Sequence, residues 1–312
     1  MKTTFRAFFI HDGNSIISLV SNRVEKHALV PKGNSELSPR KTWTAKIKNC
    51  LYVVEAPKAE RLIATDTSGR HFGLCCETGD ILWQSDALGE GDAGLVVASL
   101  EKSRCSQEVF VFATWSGVLH QLDPANGKHL VEPADFLSQF RDMRLISSSQ
   151  SVYVTTIVPA KSDIDPVGEK LNEINLRTNK LTEVLRNTFS HGIKVSPNGD
   201  RALYFYIDDD STRLEADCVE RWEVKNIKSG STICRRTFVD SHRWKSVWSP
   251  DGNYIATADQ NGHIIFAADT LETLAEIAGK DCQTPAFDPS GKYVCLCRAA
   301  NTKILALEPL LG

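Results

Sequence analysis

A repeated pair of glycines is the feature that most restricts the fold of this chain. Gly69 and Gly79 are followed by Gly117 and Gly127, so both members of the pair recur after 48 positions. Turns equivalent to those of Gly79 and Gly127 fall at Gly33, Asn179, Gly230 and Glu272 and near the end of the chain, which makes seven in all. These seven turns imply units of about 45 residues, which is close to the period of propeller repeats.

Short runs of β-branched and aromatic residues lie between the turns, as at 109–113, 152–157 and 293–297. Turns such as Ser249-Pro-Asp-Gly252 combine a fixed proline φ with a glycine that accepts positive φ, which is typical of links between antiparallel strands. Each unit is therefore predicted to be a four-stranded antiparallel sheet. One such sheet cannot bury both faces alone, so we expect the units to pack in a closed ring. Only 134–143 has a pattern that could form a short helical turn.

The composition argues against several other classes of protein. Hydrophobic residues make up 42% of the chain and charged residues 24%, as in an ordinary folded domain. The net charge of −3 provides no overall basic field, so nucleic acid is an unlikely partner, and no stretch is apolar enough to span a bilayer. The start of the chain does not read as a signal peptide, and the nine cysteines are odd in number and irregularly spaced. We therefore expect a cytoplasmic protein with reduced thiols and no membrane partner.

Some repeats resemble known propeller families. The segment from Ser249 to Phe266 resembles WD40-type repeats, and segments 67–83 and 115–127 are similar to repeats of the pyrroloquinoline-quinone type. The resemblance implies an all-β fold, a seven-bladed β-propeller of four-stranded antiparallel blades in one domain. No repeat has the Gly-His and Trp-Asp pairs of WD40 repeats at the expected places, so the hydrogen-bond network of that family is not implied. The predicted blades are 1–48, 49–90, 91–138, 139–188, 189–239, 240–279 and 280–312.

Closure of the ring is the least determined part of this prediction. The last repeat supplies only three strands, at 284–287, 292–298 and 302–307. Either residues 2–6 pair there as a closing strand, or the last blade keeps an exposed edge. We favour closure by residues 2–6.

The cysteines have both a functional and a structural interpretation. Cys75 and Cys76 fall in a predicted strand, where consecutive side chains point to opposite faces, so packing is favoured over a redox pair. Cys295 and Cys297 share one face of a strand, but a zinc site needs further ligands and no second closely spaced cluster of them is present. We predict no metal ligands and no cofactor.

Histidines and acidic residues raise the question of an active site. His191 and His242 precede Pro-Gly turns in a manner similar to the cytosolic seven-bladed lactonases, although the two spacings differ. Residues 208–210 could hold a hard cation, yet they lack the spacing of an EF-hand and are better explained as a solvated loop. No common catalytic motif occurs, so no catalytic residue is predicted and an enzyme is the less favoured interpretation.

Loop lengths are more informative than motifs. If the strands of a blade are ordered outward from the axis, the long segments 86–93, 132–142, 159–170 and 208–218 all fall on one face. They contain 14 acidic and four basic residues, so they carry −10 and leave the rest of the chain near +7. An acidic face suits a basic protein partner, whereas long solvated loops are the simpler explanation.

The sequence therefore predicts a non-catalytic protein-binding propeller, such as a scaffold, an assembly subunit or an inhibitor of another protein. The alternative is a small-molecule hydrolase similar to the lactonases, with its site at the propeller axis. Aromatic residues in the long segments could serve as desolvated anchors among the acids. The predicted partner-binding residues are Asp86, Glu90, Asp92, Asp135, Phe136, Phe140, Asp142, Asp208, Asp209 and Asp210.

Overall fold

The computed structural model shows an all-β chain in which successive strands pair as antiparallel meanders. The residues that it describes are 6–20, 22–33, 35–88, 92–102, 105–137, 140–145, 151–158, 168–187, 190–208, 219–239, 245–259, 261–298 and 302–311. The two helices are a 3₁₀ turn, Pro57–Ala59, and a short helix α1, Glu308–Leu311. Neither has the length and apolar character needed to cross a bilayer, and the described ranges contain no other helix.

Five meanders form separate four-stranded sheets, each with its strands in chain order. The first two, units 2 and 3, consist of β5 Cys50–Ala56, β6 Arg61–Asp66, β7 His71–Cys75 and β8 Ile81–Gln84, then β9 Asp92–Lys102, β10 Cys105–Thr114, β11 Val118–Leu122 and β12 Ala134–Asp135. Units 4 and 5 consist of β13 Phe140–Leu145, β14 Ser151–Val158, β15 Gly168–Asn175 and β16 Lys180–Asn187, then β17 Ser190–Val195, β18 Arg201–Asp208, β19 Val219–Asn226 and β20 Thr232–Val239. Unit 6 consists of β21 Val247–Trp248, β22 Tyr254–Ala258, β23 Gly262–Ala267 and β24 Thr273–Ala278.

The ends of the chain meet in a sixth, seven-stranded sheet. Unit 1 contributes β1 Arg6–Phe9, β2 Ser15–Val20, β3 Arg23–Pro31 and β4 Glu36–Lys46. Unit 7 contributes β25 Ala286–Phe287, β26 Tyr293–Cys297 and β27 Thr302–Ala306. The link is a pairing of β27 with the start of β4, where Glu36 lies opposite Leu305 and Leu37 opposite Ile304.

This link differs from the predicted closure by residues 2–6. Arg6 pairs with Leu19 of β2 as part of the innermost strand of unit 1, and residues 1–5 lie outside the described residues. The long hairpin of β3 and β4 reaches beyond unit 1 instead, and Ala306 adds a backbone hydrogen bond to Ser35. The sequence concealed this because β4 reads as the ordinary outer strand of its own unit.

Buried apolar clusters lie at the seams between units. In the described residues there are seven such clusters, and each joins two consecutive units, including one between unit 7 and unit 1. The chain is therefore a closed β-propeller. The strands form five separate four-stranded sheets and one seven-stranded sheet, and the count of seven blades with the predicted bounds stays a prediction.

Burial explains which strands are apolar. The second strand of a unit is covered on both faces by its neighbours, so β6 is buried along almost its whole length. The outermost strand β8 has solvent on one side, and Ile81 and Leu82 are each 49% exposed. The gradient from axis to rim is what a ring of stacked sheets requires.

Cysteine positions agree with the packing interpretation for Cys295 and Cys297, and they correct the placement of Cys76 inside a strand. Cys295 and Cys297 are fully buried in the seam between units 7 and 1, with their sulfurs 3.7 Å apart. Cys75 and Cys76 do not both lie within a strand, because β7 ends at Cys75 and Cys76 begins the following turn. The seven cysteines whose side chains the structure describes are free thiols.

Candidate functional site

The meander topology gives the propeller two faces. We call the loop face the one that carries the connections between the second and third strands and between one unit and the next. The turn face carries the connections between the first and second and between the third and fourth strands. By this topology the described residues 86–88, 136 and 137 belong to loop-face connections, whereas 132 and 133 precede β12 in a turn-face connection, which corrects the prediction for that part of segment 132–142.

The predicted acidic residues fall into three groups. Asp86 lies in the connection before β9, Asp135 is the last residue of β12, and both side chains are exposed. Asp92, Asp142 and Asp208 are backbone positions of strands, and their side chains lie outside the described part of the chain. The remaining three residues lie outside the described residues, namely Glu90, Asp209 and Asp210.

The two aromatic residues predicted as anchors, Phe136 and Phe140, differ in burial. Phe136 is half-buried, and its backbone N–H donates to the carbonyl of Gly117 at 3.1 Å. Phe140 is only 1% exposed, because it begins β13 and packs into the seam between units 3 and 4. The prediction of Phe140 as a partner contact is therefore wrong. Segment 132–142 is not one long loop or helical turn, since it contains β12 and the start of β13.

Trp115 is a loop-face residue that the prediction did not include. It lies in the turn between β10 and β11, where the hydroxyl of Thr114 accepts the N–H of Val118 at 3.1 Å and lies 2.8 Å from the hydroxyl of Ser116. Gly117 completes the turn with a φ of 93°. The backbone of the turn is thus fixed, yet the indole of Trp115 is 61% exposed.

Leu137 is the second residue that the prediction missed. Its side chain is 89% exposed, and its backbone adopts a left-handed φ of 51°, which is uncommon for a leucine. The carboxylate of Asp135 accepts the Leu137 N–H at 2.8 Å and holds this conformation. A Trp in a tight turn was the signal available in the sequence for Trp115, whereas the conformation of Leu137 left no such signal.

Backbone hydrogen bonds join the turn that contains Trp115 to the segment that contains Leu137. The N–H of Phe136 donates to Gly117, and the N–H of Phe140 donates to the carbonyl of Trp115 at 3.2 Å. Trp115 and Leu137 therefore belong to one continuous surface, which we call the Trp115–Leu137 surface. Phe136 lies in the same segment as Leu137 and packs against the apolar cluster between units 3 and 4.

The charge around this surface is acidic. Burial by itself would raise the pKa of Asp66, but hydrogen bonds from Ser68 and Arg70 lower it. Arg70 is bound to this carboxylate at 2.7 Å, so its positive charge is already paired. Asp86 and Asp135 are exposed and make no ion pair with a described residue; Asp135 bonds to the backbone of Leu137, and Asp86 lies in the loop-face connection between units 2 and 3.

The turn face also carries acidic side chains, so the positive remainder of the chain is not concentrated there. Its exposed or half-exposed carboxylates belong to the turns themselves, as in Asp12, Asp80, Asp123, Asp200, Asp251 and Asp269. Exposed basic side chains lie in the same connections, as in Lys58 and Lys128, and also on outer strands, as in Arg40, Lys41 and Lys46 of β4. Asp is common in the turns because it can bond to its own backbone.

In the part of the chain that the structure describes, no three His, Cys, Asp or Glu side chains come together in a way that would hold an ion. The His191 side chain and all of His242 lie outside it, so the lactonase-like alternative stays a prediction.

Solved structures show the same architecture. The β-propeller domain of Cps50 (Swd1) from Myceliophteria thermophila matches with a TM-score of 0.68 and 12% identity, over 98% of this chain and 97% of that chain. The C-terminal WD40 domain of Sif2 matches with a TM-score of 0.65 and 7% identity, over 98% of this chain and 99% of that chain. No family model and no curated protein matches the sequence. At these identities the likeness establishes the fold alone, which is that of the WD40 β-propellers.

Proposed function

We propose that this protein is a non-catalytic interaction module that binds a protein partner through the loop face. A propeller hosts many functions, so the fold does not carry the proposal. The observation that carries it is the pair of large apolar side chains, Trp115 and Leu137, held in solvent by a fixed backbone.

The exposed apolar area is large enough to matter energetically. A tryptophan buries about 150–250 Å² when fully covered, so covering the exposed part of Trp115 contributes on the order of 3 kcal/mol. Leu137 would add less, but its backbone is already ordered and little further entropy is lost on binding. Aromatic anchors of this kind dominate the affinity of protein interfaces.

The acidic surroundings indicate the chemistry of the partner. Asp86 and Asp135 are exposed and unpaired with described residues, so a partner surface with Lys or Arg next to an apolar residue would complement them. We propose that the other predicted acids extend this field around the loop face, namely Glu90, Asp92, Asp142, Asp208, Asp209 and Asp210. The field would act mainly on the association rate and would weaken with salt.

Charge reversal tests the face and not merely the overall charge. The double variant Asp86→Lys with Asp135→Lys should lose partners that the wild type retains in affinity purification at low salt. The matched control is Glu132→Lys with Glu272→Lys, which makes the same change in net charge at two exposed positions of the turn face. Equal loss of the same partners in both variants, or retention in both, would contradict binding at the loop face.

A further inference from the structure

Two imidazole rings meet at the rim of unit 3, away from the Trp115–Leu137 surface. His120 lies in β11, and His129 lies in the segment between β11 and β12. Nδ1 of His120 is 3.1 Å from Nε2 of His129, and the ring centroids are 5.4 Å apart. The two rings thus point one nitrogen each at the same small volume.

The position of His120 is fixed by packing. Its ring stacks on Phe112 with the centroids 4.3 Å apart and an angle of 8°, and its side chain is 6% exposed. Nε2 of His120 has no hydrogen-bond partner among the described residues. Burial, and then the proximity of His129, lowers the pKa of His120 to about 4. Packing therefore fixes the ring of His120 and the direction in which its Nδ1 points.

The position of His129 is fixed through its backbone while its ring stays accessible. Leu122 and His129 form an isolated antiparallel bridge, and Leu130 donates its N–H to Gln121 at 2.9 Å. The imidazole itself is exposed. Solvent therefore reaches one side of the pair, and the buried His120 closes the other side.

We propose that Nδ1 of His120 and Nε2 of His129 form a bidentate site for a divalent transition-metal ion of the imidazole-binding class, Cu²⁺, Ni²⁺ or Zn²⁺. With metal–nitrogen bonds of about 2.0–2.1 Å, two ligands at right-angled to tetrahedral spacing lie about 2.9–3.4 Å apart. The observed 3.1 Å falls within that interval. Water completes the coordination on the side of His129, and the proton between the two rings moves to the other nitrogen of its own imidazole, so that both rings bind as neutral ligands.

Titration with Cu²⁺ alone tests the site. The wild type should bind one ion whose electron paramagnetic resonance spectrum shows two imidazole nitrogens. His129→Ala should weaken this binding by more than about tenfold, since loss of a ligand exceeds the usual effect of losing a second-shell partner. His129 is exposed, so the variant is expected to keep its fold.

His11→Ala is the matched control, because His11 is another exposed histidine, located in a turn of unit 1. Unchanged Cu²⁺ binding in His11→Ala, together with its loss in His129→Ala, would support the site. Equal affinity in wild type and His129→Ala, or a wild-type spectrum without two nitrogens, would overturn it and leave the pair as a hydrogen bond between two histidines.

Discussion

The two faces of the propeller use their turn residues in different ways. On the turn face, Asp123, Asn175 and Asn226 occupy the same place in three consecutive units, and each accepts N–H bonds from its own turn. On the loop face, Trp115 and Leu137 have equally fixed backbones but contribute exposed side chains.

The difference shows where a site can form on a scaffold of repeats. A turn residue whose side chain bonds to its own backbone stabilises the fold and has little left to offer a partner. A large apolar side chain in the same kind of turn gains nothing from the fold while it stays in water. We therefore expect substitutions on the turn face to alter stability and substitutions on the loop face to alter binding.

The largest expected effect is on binding by Trp115→Ala. Removal of this indole should weaken the partner complex by about 2–4 kcal/mol, as for a central aromatic anchor, and should change the free energy of unfolding by less than about 0.5 kcal/mol. Isothermal titration with the captured partner and urea denaturation measure the two quantities. Val131→Ala, at an exposed apolar residue before β12, is the control and should change neither. A large loss of stability in Trp115→Ala would remove the distinction between the faces.

On the turn face, Gly127→Ala should reduce stability by about 1–3 kcal/mol without altering binding. Gly127 has a φ of 72°, and an added Cβ would lie 2.6 Å from the ring of Trp83. Gly33→Ala separates the two causes, because Gly33 has a φ of 77° and open space around it. Urea denaturation should show a smaller loss for Gly33→Ala. Equal losses would mean that backbone strain alone accounts for the effect.

Acid should weaken the seam between units 2 and 3, where His71 packs against Phe110 and Phe112. Burial, and then the nearby His120, lowers the pKa of His71 from 6.5 to about 3, so His71 stays neutral in the folded protein. Below pH 6.5 the unfolded chain binds a proton that the folded chain does not, and stability falls by up to about 1.4 kcal/mol per pH unit for this group. The fall should continue to about pH 3, where the folded protein also binds the proton.

Urea denaturation between pH 7 and pH 5 measures this slope. His71→Gln should flatten it, whereas His11→Gln, at an exposed position, should leave it unchanged. An unaltered slope in His71→Gln would show that other groups cause the acid sensitivity. The seam between units 5 and 6 offers the contrast, since Trp222, Phe205 and Phe266 pack there as rings without a titratable group.

The smallest expected effect comes from removing one turn-face cap. Asn226→Ala deletes the acceptor for the N–H and the hydroxyl of Ser229, and should reduce stability by about 1 kcal/mol. Thermal denaturation measures the change, and the partner affinity should stay the same. A change in affinity would show that the turn face also contributes to binding.

The fold was largely predictable because its cause is local and repeated. Glycines and Pro-Gly turns fix the hairpins, and apolar alternation between them fixes the strands, so the β-propeller follows from positions such as Gly69 and Gly117. The closure by β4 was not predictable, because pairing between distant strand edges leaves no local pattern in Glu36 or Leu37.

The site was predictable only in part. Acidic composition indicated the loop face, and Asp86 and Asp135 lie there with exposed side chains. Phe140 was mistaken for a surface anchor because the sequence does not show where β13 begins. A shift of one residue in the start of a strand decides whether a side chain faces the seam or the solvent. Leu137 escaped notice because its exposure depends on a left-handed backbone held by Asp135, which is a property of the folded chain.

Site-specific photo-crosslinking tests the central claim most directly. A photoreactive side chain in place of Leu137 should crosslink to a protein partner with a Lys- or Arg-rich contact segment, and the same group in place of Val131 should not. Both side chains reach solvent, at 89% exposure for Leu137 and 46% for Val131, and only Leu137 lies on the loop face. Crosslinks from Val131 to the same partner with equal yield, or none from Leu137 while the partner is bound, would contradict binding at the Trp115–Leu137 surface.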